Sequence, residues 1–132
     1  MAVELNENCA TLLDSADLVN LGDTATSQTI YTVPTGKRCI LDRVIIRNFS
    51  ATAASCIVTV GQTGALNDFL GSMTLTACNS TDSVALLRPV TSATVVKHIL
   101  YAAGTALKID VGTAAAGACL ATVEFYGMLY DE

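Results

Sequence analysis

The feature that most limits what this chain can fold into is its punctuation. From Gln28 onward, short runs of alternating or β-branched apolar residues recur at a spacing of roughly 8–12 residues, separated by turns rich in Gly, Pro, Asn and Ser. No stretch of helical periodicity long enough for a crossover helix lies between them, which excludes a parallel α/β sheet. Residues 28–33 alternate and end at Pro34-Thr35-Gly36-Lys37, a type I or II turn with proline at its favoured corner. In 38–48, Cys39, Leu41 and Ile45 share one face with Arg43. Ile40, Val44 and Ile46 share the other with Asp42, so this segment, apolar on both faces, reads as a central strand. Further strands are expected over 55–60, closed by Gly61-Gln62-Thr63-Gly64, with Asn67-Asp68 as added turn chemistry. Others follow over 69–77, 84–87 and 94–101. The last two cover 106–111, with Leu107, Ile109 and Val111 opposite Lys108 and Asp110, and 118–130. The expectation is an all-β fold: an antiparallel two-sheet sandwich, jelly-roll-like, of about eight strands.

The first 23 residues read two ways. Cys9, Leu12, Leu13, Ala16 and Val19 follow a helical spacing behind a possible Asn8 cap. The same stretch also fits an extended arm with an acidic edge at Asp14, Asp17 and Asp23, and that reading is preferred. The domain expectation is thus an N-terminal arm or short edge segment over 1–23 and a β-sandwich over 24–132. With 132 residues there is enough chain for one core without metal or disulfide staples.

Composition bears on the surface. Charged residues are 14%, against about 25% in a typical domain, while Ala, Ser and Thr make up one third of the residues. Small, weakly hydrated side chains suit close subunit packing, so a homo-oligomer or lattice member is expected, against a monomer with a bland surface. The net charge of −5 and seven scattered basic residues lack the clustered footprint of a nucleic-acid binder. No apolar run approaches a membrane span, and the N-terminus has no signal-peptide pattern. Neither nucleic acid nor membrane is an expected partner.

The five cysteines, Cys9, Cys39, Cys56, Cys78 and Cys119, contain no CxxC pair, and His98 is the only histidine. A zinc site is not expected. Reduced, buried thiols are the preferred reading. The alternative is an intersubunit disulfide through Cys9 or Cys78, which fall in segments read as peripheral. No GxSxG elbow accompanies His98, the carboxylates are dispersed, and Gly36-Lys37 leads into a strand rather than the helix of a phosphate loop. No catalytic residue, cofactor or metal is expected, and the chain reads as a non-enzyme. The tyrosines and phenylalanines read as core and interface residues rather than a sugar platform.

The run Thr29-Ile30-Tyr31-Thr32-Val33-Pro34-Thr35-Gly36-Lys37, followed by Leu41-Asp42-Arg43-Val44-Ile45-Ile46-Arg47-Asn48, resembles a pattern in small tailed-phage virion proteins. Tyr31, Pro34, Gly36 and Lys37 carry the turn motif. The closing strand, with its Phe-Tyr-Gly-x-x-Tyr ending, is similar in style. The resemblance covers under half the chain. It implies a structural virion protein with a β-sandwich, and within that class a capsid decoration (cement) protein. Such a protein is made in the host bacterial cytoplasm, is homotrimeric, and binds the major capsid protein or other virion proteins on the outer capsid surface. A tail, neck or fibre component is the alternative in that class. A carbohydrate- or receptor-binding β-sandwich module is the alternative outside it.

Overall fold

A computed structural model of the chain describes residues 10–89 and 98–132. Among the described residues nine strands form: β1 (Thr11–Asn20), β2 (Ser27–Thr32), β3 (Lys37–Arg47), β4 (Ile57–Gln62), β5 (Ala65–Thr74), β6 (Ala85–Leu87), β7 (Leu100–Tyr101), β8 (Ala106–Thr113) and β9 (Leu120–Asp131). They make two antiparallel sheets. Sheet A has the order β1-β9-β3-β6, with β7 also on β3; sheet B has the order β2-β8-β4-β5.

The order follows one rule. β1 pairs with β9, β2 with β8, β3 with β6 and β7, and β4 with β5. The chain is therefore one long antiparallel hairpin with its bend at Thr63-Gly64, rolled so that its arms fall alternately into two sheets. The pairs β3–β9 and β4–β8 close the roll. This is the jelly-roll arrangement, and it confirms the all-β, antiparallel two-sheet sandwich.

Alternation decides what lies between the sheets. Sheet A contributes Val19, Cys39, Leu41, Val44, Ile46, Val123 and Phe125; sheet B contributes Val58, Val60, Leu107, Ile109 and Val111. All are essentially fully buried. One hydrogen-bonded cluster links the layers: Asp68 in β5 accepts from the Tyr101 hydroxyl of β7 at 2.8 Å and from the Gln62 side chain and backbone of β4. Burial, then this bond to a carboxylate, pushes the Tyr101 phenol well above its ordinary range.

Of the two readings of the N-terminal stretch the helical alternative is overturned, and other local expectations are corrected as well. Residues 11–20 form an edge strand. Its apolar positions serve a twisted, irregular strand whose pairing with β9 shifts register between Leu12 and Asp14 and again between Ala16 and Val19. Asn67-Asp68 lies within β5, because Asp68 finds its partners across the strand. Gly61 permits that approach, since a Cβ there would lie 2.2 Å from the Ala65 carbonyl oxygen. The turn after β2 is closed by the Lys37 N–H on the Pro34 carbonyl, 3.2 Å, with Gly36 at φ 79°. That places Pro34 one position before the corner, in a type II geometry that needs the glycine. Of the strand expected over 94–101, only Leu100–Tyr101 is observed as β7; 94–97 lies outside the described residues.

Gly127 sits where β9 crosses β3, and a Cβ there would lie 2.4 Å from the Ile40 carbonyl oxygen and 3.2 Å from the Leu41 Cα. Gly127→Ala is expected to cost about 2–3 kcal/mol in urea unfolding. Gly71→Ala, where a Cβ meets nothing within 4 Å, is expected to stay within about 0.5 kcal/mol of the parent.

Candidate interaction surface

The outward faces of the two sheets differ in chemistry. Sheet B presents the cross-strand rows Ser27–Asp110–Thr59 and Thr29–Lys108–Gly61, a face that water solvates well. Sheet A presents Leu86–Ile45–Glu124–Ser15, then Arg43–Tyr126–Leu12, then Leu100–Ile40–Met128, then Arg38–Tyr130. Leu86, Leu100 and Leu12 are 58%, 45% and 49% exposed. This apolar and aromatic face is the candidate interaction surface of the described residues.

All four arginines of the chain belong to this face or its rim. The Arg43 guanidinium lies over the Tyr126 ring, 4.7 Å from its centroid, and donates to Asp42 at 2.8 Å. Arg88 reaches the same Asp42 oxygen at 3.3 Å. Arg47 grips the buried Glu124 with two nitrogens, at 3.0 and 3.3 Å, and this pairing raises the Arg47 pKa further. The carboxylates of Asp42 and Glu124 thus tether Arg43, Arg47 and Arg88 to the sheet. Tyr, Met and Arg are the residues enriched at the centres of protein interfaces.

The turn motif lies apart from this face. Val33, Pro34 and Gly36 shape the corner between the sheets, where Val33 exchanges backbone hydrogen bonds with Gly104 and Thr105 and the Gly36 carbonyl accepts the Glu132 N–H. Lys37 pairs with Asp131 across β3 and β9. Tyr31 is half-buried against the core, and burial raises its phenol pKa, with Cys39 and Asp14 adding smaller effects. Tyr31, Pro34, Gly36 and Lys37 thus belong to this corner, and none of them lines the hollow beside Leu18 and Thr122 or the cleft beside Met73 and Leu86. His98 is exposed. Among the described residues, no three His, Cys, Asp or Glu side chains gather as a metal site would require.

Cys39, Cys56, Cys78 and Cys119 are free and buried. Cys78, read from sequence as peripheral, is 4% exposed. The loop that carries it is drawn in by the bonds Leu75 N–H to Cys56 O, Cys78 N–H to Leu75 O and Ala53 N–H to Cys78 O. A disulfide to another subunit through Cys78 would require that loop to open. Cys9, its suggested companion, lies outside the described residues.

No family model matches the chain, and no curated protein matches it. Among solved structures the jelly roll has a counterpart. A chain of the "Cyanophage Pam1 capsid asymmetric unit" superposes with a TM-score of 0.53 and 17% identity, over 97% of this chain and 90% of that one. At this identity the likeness is one of fold. The coverage makes the two chains nearly equal in length.

Burial pushes the Cys39 thiol up to about 12 and the Cys56 thiol up to about 11. An unfolded thiol ionises near ~8.5. Below that pH both states hold the proton and the stabilisation is complete; above it the unfolded state loses protons that the folded state keeps. Stability is therefore expected to fall as pH rises from about 9 toward 12, by up to ~1.4 kcal/mol per pH unit for each buried thiol. Urea unfolding across this range should show a shallower decline for Cys39→Ala than for the parent.

Proposed function

We propose that this chain is a structural protein of a tailed-phage virion: a capsid decoration (cement) protein that binds the outside of the head and stabilises joints between capsomers. The outward face of sheet A carries the reading, because a monomeric domain has no use for four arginines, two tyrosines and a row of exposed aliphatics on one side. The fold likeness to a chain from a phage capsid structure supports it, as does the resemblance of the turn motif and closing strand to small virion proteins. In this reading the protein is a homotrimer, synthesised in the host bacterial cytoplasm, and its partner is the major capsid protein or another virion protein.

The mechanics are those of added contact area. A specific interface buries about 1,600 Å² in total. Laid across a seam between two shell subunits, that area must be re-exposed before the seam opens. Sheet A suits the task because its apolar rows supply area, while Arg38, Arg43 and Arg88 supply orientation toward an acidic partner surface. Within such a role the chain performs no catalytic step and needs no cofactor, and neither nucleic acid nor lipid enters the contact.

The test uses purified protein and emptied phage heads freed of small accessory proteins. The parent is expected to co-sediment with the heads and to raise their temperature of disruption. Tyr126→Asp, in the middle of the outward face, is expected to weaken binding by at least about tenfold with an unchanged unfolding midpoint. Binding to tails but not heads would favour a tail, neck or fibre component. Absence of virion binding together with glycan-array binding would replace the proposal with a carbohydrate-binding module.

A further inference from the structure

Leu18 is out of place by two independent measures. It is the most exposed large apolar side chain of the described residues, at 73%, and its backbone lies in the left-handed region, at φ 58°. Glycine or asparagine adopts that conformation readily, whereas leucine does so at a cost. The residue stands in the irregular stretch where β1 slips against β9 between Ala16 and Val19. It also walls a hollow of about 460 Å³ with Asn48, Ser50 and Thr122. Strain of this kind clusters at functional contacts.

On the other flank lies a smaller, apolar cleft of about 220 Å³, lined by Met73, Leu75, Cys78, Val84 and Leu86. Val84 is 62% exposed at its mouth. Sheet order sets the relation between the two features. β1 is the first strand of sheet A and β6 the last; β2 is the first of sheet B and β5 the last. Knob and cleft therefore occupy opposite flanks and cannot meet within one chain.

We propose that two copies of this chain join by a heterologous contact in which Leu18 of one copy enters the apolar cleft beside Val84 and Leu86 of the next. Charge favours the same pairing. Asp14 and Asp17 are exposed on the β1 flank and belong to no ion pair among the described residues. Beyond β6, Arg88 and Arg43 share the single carboxylate of Asp42, which leaves positive charge in excess. Asp17 and Asp82 each accept a neutral hydroxyl, from Thr122 and Ser80 respectively, and both keep their charge. The attraction therefore runs from Asp14, four residues before Leu18, to Arg88, four residues after Val84, with Asp82 on the far side of Val84 from Arg88 in the sequence. A contact of this type repeats head to tail and, with a suitable rotation, closes a ring. The inference rests on the self-association proposed above and is independent of head binding.

The experiment is native mass by light scattering, with disulfide trapping. The parent is expected to exceed one chain of 13.7 kDa at micromolar concentration. Leu18→Gly and Val84→Asp should each weaken assembly by at least about tenfold. Leu18→Gly should do so while unfolding at a higher temperature than Leu18→Ala, because glycine relieves the backbone. In a Cys9→Ser, Cys78→Ala background, which removes the thiol that lines the cleft itself, a mixture of Leu18→Cys and Val84→Cys proteins should yield an oxidised dimer that neither forms alone. A parent that is a single chain at about 100 µM, variants that keep the parent's mass, or trapping only between like variants would overturn the contact. If all variants behave as expected and the protein ignores phage heads, the contact stands and the virion reading falls.

Discussion

The sandwich depends on β9 sliding between β1 and β3. Its inward residues Ala121, Val123 and Phe125 are buried, and its backbone satisfies the inner edges of both neighbours, from Thr11↔Gly127 on one side to Lys37↔Asp131 on the other. No smaller set of strands covers the core of sheet A. The entropic cost of bringing such distant segments together falls before the reward of burial, a sequence of events typical of slow, topologically complex β-folds. Gly127 marks how tight the fit is, since the β3 backbone occupies the space of its missing side chain.

Once β9 is in place, the inward faces have little freedom and the outward faces have much. Sheet B uses that freedom to meet water with Ser, Thr, Lys and Asp. Sheet A spends little of its outward surface on solvation. Arg47 is neutralised by Glu124, while Arg43 and Arg88 share the one carboxylate of Asp42, so the face is cationic at its rim and apolar along its rows. This division within one domain is what separates the stabilising residues, which point inward, from those available to a partner.

Much of the fold was legible because jelly-roll strands advertise themselves by period-two alternation. β2, β3, β8 and β9 were read within a few residues, and the two-sided apolarity of β3 correctly implied a central place. What stayed ambiguous or failed were positions where alternation is interrupted. β1 carries two register slips, which bring Leu12, Leu13, Ala16 and Val19 into a spacing that imitates a helix. Asp68 looked like a turn residue because its cross-strand partners, Gln62 and Tyr101, cannot be identified before the sheets are assembled. The outward face was missed for a related reason. Ile40, Ile45, Tyr126 and Met128 read as ordinary strand apolarity until strand order shows that they face away from sheet B and that no other described strand lies over them. Cys78 looked peripheral because polar residues follow it, yet its carbonyl accepts from the Ala53 N–H and its own N–H donates to the Leu75 carbonyl, which draws it inside.

The antiparallel pairing of β1 with β9 also sets how the molecule yields to force. The beginning of β1, at Thr11, lies beside the late part of β9, at Gly127. Tension applied between those two ends acts across the strands, along the hydrogen bonds, and opens the ladder one rung at a time. A load spread over the outward face of sheet A and directed along its strands strains many rungs together, and the sheet resists as a unit. The same fold is thus weak to peeling and strong in shear, and the direction of attachment decides which response a partner meets.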